Sequence, residues 1–140
     1  MSIILGIDYG DRRIGLALSD PEEKLARRFM TLENKGVNES ITEILRIIVA
    51  ENINKAVVGL PVGFSGESDQ TRLVREFVEL LRSRTGTPIE IMNEALTSKI
   101  AEDNLRAAGV KDIKAVLDQE AARIILQDYL DYHAKDNDKK

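Results

Sequence analysis

The stretch Ser2-Ile3-Ile4-Leu5-Gly6-Ile7-Asp8-Tyr9-Gly10-Asp11-Arg12-Arg13-Ile14-Gly15-Leu16-Ala17-Leu18-Ser19 decides the fold. Its first apolar run is too short for a helix and rich in β-branched residues, so Ser2 to Asp8 reads as a buried strand that ends on a carboxylate. Tyr9 to Arg13 reads as a turn and Ile14 to Ser19 as a second strand, and so short a connection makes the two antiparallel neighbours. Asp20-Pro21-Glu22-Glu23 then leads into a third strand, Arg27 to Leu32, suited to a sheet edge.

Beyond Gly36 the period changes. Ile41, Ile44, Leu45, Ile48 and Val49 recur at helical spacing, with Asn38 or Ser40 available as a cap. Ala56-Val57-Val58-Gly59-Leu60 is a fourth strand stopped by Pro61, and Gly63 to Asp69 is a polar loop. Leu73, Val74, Phe77, Leu80 and Leu81 give a second helix, and Ile89 to Met92 a fifth strand. Thr97 or Ser98 starts a third helix that stops near Gly109, and Ala121, Ile124, Ile125, Tyr129 and Leu130 mark the last. The order β-β-β-α-β-α-β-α-α predicts an α/β fold with a mixed five-stranded sheet: three antiparallel strands, then parallel crossovers, with helices on both faces. One domain is expected over residues 1–132, with 133–140 as a polar, frayed tail.

Composition narrows the chemistry. The chain has 140 residues, 43% hydrophobic and 31% charged, and its 20 Lys+Arg against 24 Asp+Glu leave a net charge of −4. A chain of this size buries roughly 68–70% of its unfolded surface, enough for a real core. The charge gives no general pull toward phosphate. With no Cys and one His, a disulfide scaffold, thiol catalysis and the usual zinc cages are excluded, so any metal must be held by oxygen. Three Phe, three Tyr and no Trp argue against the stacking platforms that hold single-stranded nucleic acid. No apolar run is long enough to span a bilayer and the first residues lack a signal-peptide pattern, so the expectation is a cytoplasmic protein with no membrane partner.

In open α/β sheets, sites gather beyond the carboxyl ends of parallel strands. That rule points to Asp8, to the loop after Leu60 and to Glu94. Taken singly, Asp8 also suits a turn, Glu94 a solvated loop, and Asp118 the N-cap or first turn of the last helix. Taken together, two strand ends and one helix start can converge on one edge of the sheet, and clustered carboxylates need a cation. Mg²⁺ or Mn²⁺ fits such oxygen ligands, and two ions roughly 4 Å apart would both activate water and stabilise a leaving oxygen. Arg12 and Arg13 in the first turn, Gly63 and Ser65 in the loop after Pro61, and Arg72 on the second helix are candidate phosphate contacts. Each is also at home as solvated charge, tight loop or helix cap. The loop lacks the Gly-Lys-Ser/Thr ending of a P-loop, and no organic cofactor is implied.

Gly6-Ile7-Asp8-Tyr9-Gly10, Arg13-Ile14-Gly15-Leu16-Ala17-Leu18-Ser19-Asp20, Val58-Gly59-Leu60-Pro61, Glu94 with Leu96-Thr97, and Asp118 followed by Ala121-Ala122 and Ile125 to Leu130 resemble the YqgF family. Each piece is weak alone; five in order at compatible spacing are specific, and together they span nearly the whole chain. The resemblance implies an RNase H-like fold related to the RuvC Holliday junction resolvases and a metal-dependent nuclease that processes the 5′ end of precursor 16S ribosomal RNA. It carries the family's acidic residues onto Asp8, Glu94 and Asp118. One departure stands out: the family's Asp-Glu-Arg is Asn93-Glu94-Ala95 here.

The expectation is therefore a hydrolase using one or two Mg²⁺ or Mn²⁺ ions on structured nucleic acid, with RNA favoured over a four-way DNA junction, as a monomer or homodimer. A junction resolvase is the first alternative. A non-catalytic nucleic-acid-binding or ribosome-assembly module, motivated by Asn93 and Ala95, is the second.

Overall fold

A computed structural model describes residues 2–61, 68–94 and 97–138. Three strands open the chain: β1 (Ile3–Tyr9), β2 (Arg13–Ser19) and β3 (Ala26–Glu33). Then follow α1 (Val37–Ala50), β4 (Ile53–Pro61), α2 (Asp69–Arg84), β5 (Ile89–Glu94), α3 (Thr97–Ala107) and α4 (Ile113–Asp138). The sheet order is β3-β2-β1-β4-β5, antiparallel from β3 to β1 and parallel from β1 to β5. This is the mixed sheet expected, with β3 at an edge.

β1 is central because it is apolar on both faces. Alternation sends Leu5, Ile7 and Tyr9 into a core with Ile41 and Ile44 of α1 and Val74, Phe77 and Leu81 of α2. The Tyr9 and Phe77 rings stack there with centroids 4.2 Å apart. Ile4 and the neighbouring Ala17 and Val57 face the other way, onto Ala122, Ile125, Leu126 and Tyr129 of α4. On its outer side α4 buries Ala121 and Ile124 against Ala101 of α3. It is thus apolar on two adjoining faces, as a helix packed between a sheet and another helix must be.

A row of glycines on this second face sets how close α4 lies. A Cβ at Gly6 of β1 would stand 2.8 Å from Leu126 Cβ and 2.9 Å from the Ala122 carbonyl oxygen. One at Gly59 of β4 would overlap Ile125, and one at Gly15 of β2 would overlap the backbone carbonyl of Asp118. With no side chains in the way, the helix rests almost on the strand backbones.

Three local details differ from the expectation. α1 is preceded by Gly36, at φ 121°, with no side-chain cap; Asn38 and Ser40 lie inside the first turn, where the Ser40 hydroxyl donates to Asn34 Oδ1. α4 begins at Ile113, so Asp118 is neither cap nor first-turn charge but sits a turn further in, because the apolar periodicity already runs through Val116 and Leu117. At its far end α4 runs on to Asp138, beyond residue 132, with the Tyr129 and His133 rings 4.2 Å apart. Among the described residues no helix is long and apolar enough to cross a membrane.

Candidate active site

Asp8 is the penultimate residue of β1, and its register partner across the β1/β2 ladder is Gly15. Since the α4 backbone lies directly on Gly15 at Asp118, the two acids are brought together by the glycine between them. Burial pushes the Asp8 carboxyl up from 3.8 to about 6, and the Asp118 charge adds to that rise. Asp118 itself accepts a hydrogen bond at Oδ2 from Arg13 Nε at 2.7 Å; the Arg13 side chain is 53% exposed and that of Asp118 19%. The site pairs one half-buried acid, costly to ionise, with one held by a guanidinium.

Glu94 is the last residue of β5, partly buried and in register with Pro61 of β4. Glu90, Met92 and Glu94 alternate onto one face, and Met92 packs against the α4-side core, so Glu94 shares the face of Asp8 and Asp118. Two strand spacings, about 10 Å, separate β5 from β1. Among the described residues no group of three Asp, Glu, His or Cys side chains is already drawn together to hold a metal ion. Asp8 and Asp118 are near enough for the charge of one to raise the carboxyl of the other; Glu94 stands on the same face and the same edge of the sheet.

Arg12 lies exposed in the β1–β2 turn beside Arg13, and its carbonyl accepts from the Asn34 N–H at 2.8 Å. Arg72 lies in the first turns of α2, paired with Asp69 Oδ1 at 2.9 Å, with both side chains largely in solvent. Gly63 and Ser65 fall outside the described residues, as does Ala95.

Two amides that sequence patterning does not single out hold the backbone that follows Asp8. Gln70 Nε2 donates to the Tyr9 carbonyl at 3.0 Å, and Asn34 Nδ2 donates to the Gly10 carbonyl at 2.8 Å. Asn34 Oδ1 in turn accepts from the Gly36 N–H and the Ser40 hydroxyl, which ties the turn to the start of α1. Ser68 caps α2 by accepting from the Thr71 N–H at 3.2 Å. Further along α4, Glu120 is buried. Burial alone would raise its carboxyl, but two Arg123 bonds of 2.7 Å, with Asn104 beyond them, hold it below its ordinary value. That network pins α4 to α3 behind Asp118.

A mixed sheet of this order, with its central strand ending under the last helix, has the RNase H-like fold. The fold is that of the T. thermophilus RuvC bound to a Holliday junction (TM-score 0.63, 15% identity, 96% of this chain and 97% of that one). It is also that of the fowlpox virus resolvase in its junction complex (TM-score 0.56, 11% identity, 93% and 97%). The family model described as "RuvX: Holliday junction resolvase" matches residues 2–132, and the chain belongs to that family, also called YqgF. A relative from Chloroflexus aurantiacus is 42% identical over 92% of this chain and 86% of its own, and one from Maridesulfovibrio salexigens 40% identical over 91% and 96%. Both carry the name "Putative pre-16S rRNA nuclease".

Proposed function

We propose that the protein is a divalent-cation-dependent endonuclease that hydrolyses phosphodiester bonds in structured RNA, its target being the 5′ end of precursor 16S rRNA. The observation that carries this reading is the Asp8–Asp118 pair: a half-buried carboxyl, for which no hydrogen-bond donor is found among the described residues, beside a second carboxylate. Ionising both at once is unfavourable unless a cation joins them, and a donor set of oxygens alone suits Mg²⁺ or Mn²⁺. Asp8, Asp118 and Glu94 are the residues that would hold one or two such ions. Bound there, a cation would activate water for in-line attack on phosphorus and offset charge on the leaving oxygen.

The chain's own contributions are positional and electrostatic. Gln70 and Asn34 fix the backbone around Asp8, Gly15 lets α4 bring in Asp118, and Arg12 and Arg13 present guanidinium groups to phosphate. Few aromatic side chains suit recognition by helix shape and backbone rather than by stacked bases. The names of the curated relatives favour RNA, and an rRNA substrate would set the work in the cytoplasm. The family's own description favours a second reading, cleavage of a four-way DNA junction, which symmetric cutting would require two copies to perform.

The test offers the purified protein precursor 16S RNA and a four-way DNA junction in Mg²⁺ or Mn²⁺. The expected result is cleavage of the RNA near its mature 5′ end, with Asp8→Asn and Asp118→Asn at least about 100-fold slower. An Asp8→Asn variant as fast as wild type would remove the metal mechanism, and preferential cutting of the junction would replace the RNA substrate.

A further inference from the structure

Arg13 holds Oδ2 of Asp118, one of the two oxygens on which a cation between Asp8 and Asp118 would draw. A guanidinium and a divalent ion on one carboxylate repel each other, so each weakens the other's hold on it. More than half of the Arg13 side chain is in solvent, so it leaves Asp118 at little cost. It stands on the first residue of β2, beside the exposed Arg12 and at the rim of the site. From there its planar fork of donors matches a phosphate as well as a carboxylate.

We propose that Arg13 is an exchangeable counter-charge, which holds Asp118 in the metal-free protein, yields that carboxylate when a divalent cation binds, and is thereby freed to pair with a nucleic-acid phosphate. The inference rests on the reading of Asp8 and Asp118 as cation ligands. It makes Arg13 a residue that links metal loading to substrate binding, and such a link runs in both directions. A merely structural Arg13, bracing Asp118 in place, has the opposite consequence: its removal would weaken the metal site.

The deciding measurement is calorimetric titration of Mn²⁺ into wild type, Arg13→Gln, Arg13→Lys and Asp8→Asn. Arg13→Gln is expected to bind Mn²⁺ about two- to fivefold more tightly than wild type, the range set by a partly exposed ion pair, with Arg13→Lys closer to wild type. A second measurement follows binding of a short RNA hairpin over a salt series, with and without Ca²⁺. Wild type should gain roughly one phosphate contact in its salt slope when Ca²⁺ is present, and Arg13→Gln should gain none. Equal or weaker Mn²⁺ binding by Arg13→Gln, with Asp8→Asn still abolishing it, overturns the exchange and leaves the metal site standing. Equal slopes overturn the phosphate half. Mn²⁺ binding that ignores Asp8→Asn brings down the reading of the site, and this inference with it.

Discussion

Gly15 of β2 lies directly beneath the backbone carbonyl of Asp118, and a Cβ added at position 15 would overlap that oxygen. The obstacle is helix backbone, which has no rotamer to change. Gly15→Ala must therefore lift the start of α4 from the sheet, at the upper end of the overpacking range, about 3 kcal/mol or more. Gly59→Ala is the control: there the atom met first is the end of the Ile125 side chain, which can turn aside, and the cost should be about 1 kcal/mol. Thermal melts should show Gly15→Ala the lower of the two, by several degrees. The reverse order would mean that α4 does not rest on β2 as described.

The raised Asp8 carboxyl sets a pH dependence with a definite sign. In the unfolded chain it ionises near 3.8 and in the native protein near 6. Between those values the native state holds more proton than the unfolded one, so this group's contribution to stability falls as pH rises through that window and levels off above it. Asp8→Asn removes the penalty. The metal-free variant should be more stable than wild type near neutral pH, by up to ~3 kcal/mol, and the gap should close toward about pH 4. Urea unfolding in a chelator at both ends of the window measures this. A variant less stable than wild type at neutral pH would show that the Asp8 carboxylate is compensated in the native protein.

Most strands and helices are legible because their patterns are strong: short apolar runs for β1, β2 and β4, and apolar residues three and four apart for the helices. Asp8 and Glu94 were legible as strand ends. Helix-cap patterning puts Asp118 at a helix start, whereas α4 already begins at Ile113 and carries it inside the helix. What patterning could not reach are contacts made only by tertiary folding. Arg13 meets Asp118 across 105 residues, and Gln70 reaches Tyr9 across 61. A glutamine in the first turn of an amphipathic helix carries no local mark of the carbonyl it will hold.

The Asn93 departure bears on the other side of the sheet. Neighbouring residues of a strand point to opposite faces, so Asn93 is turned away from the α4 face that Glu94 shares with Asp8 and Asp118. Restoring a carboxylate by Asn93→Asp is expected to change Mn²⁺ affinity by less than about twofold, the effect of one screened charge at the rim. A tenfold gain on titration would place position 93 among the ligands and make its substitution a real loss.

Asn34 holds the hinge between the site and the rest of the fold. Its side chain donates to the Gly10 carbonyl and accepts from Gly36 and Ser40, and its N–H donates to the Arg12 carbonyl. Asn34→Ala leaves the backbone bond but strips the Gly10 carbonyl, the Gly36 N–H and the Ser40 hydroxyl of their partner, a loss of about 1–3 kcal/mol because Ser40 is buried and Gly10 partly so, while water can replace Asn34 at the exposed Gly36. The turn that carries Arg12 and Arg13 should loosen while the core, which Asn34 does not enter, stays intact. Hydrogen exchange should therefore rise at residues 10–13 and stay slow in β1 and β4. Protection unchanged in the turn would show that Gly10 N–H to Arg13 carbonyl bonding, 3.0 Å long, holds it unaided.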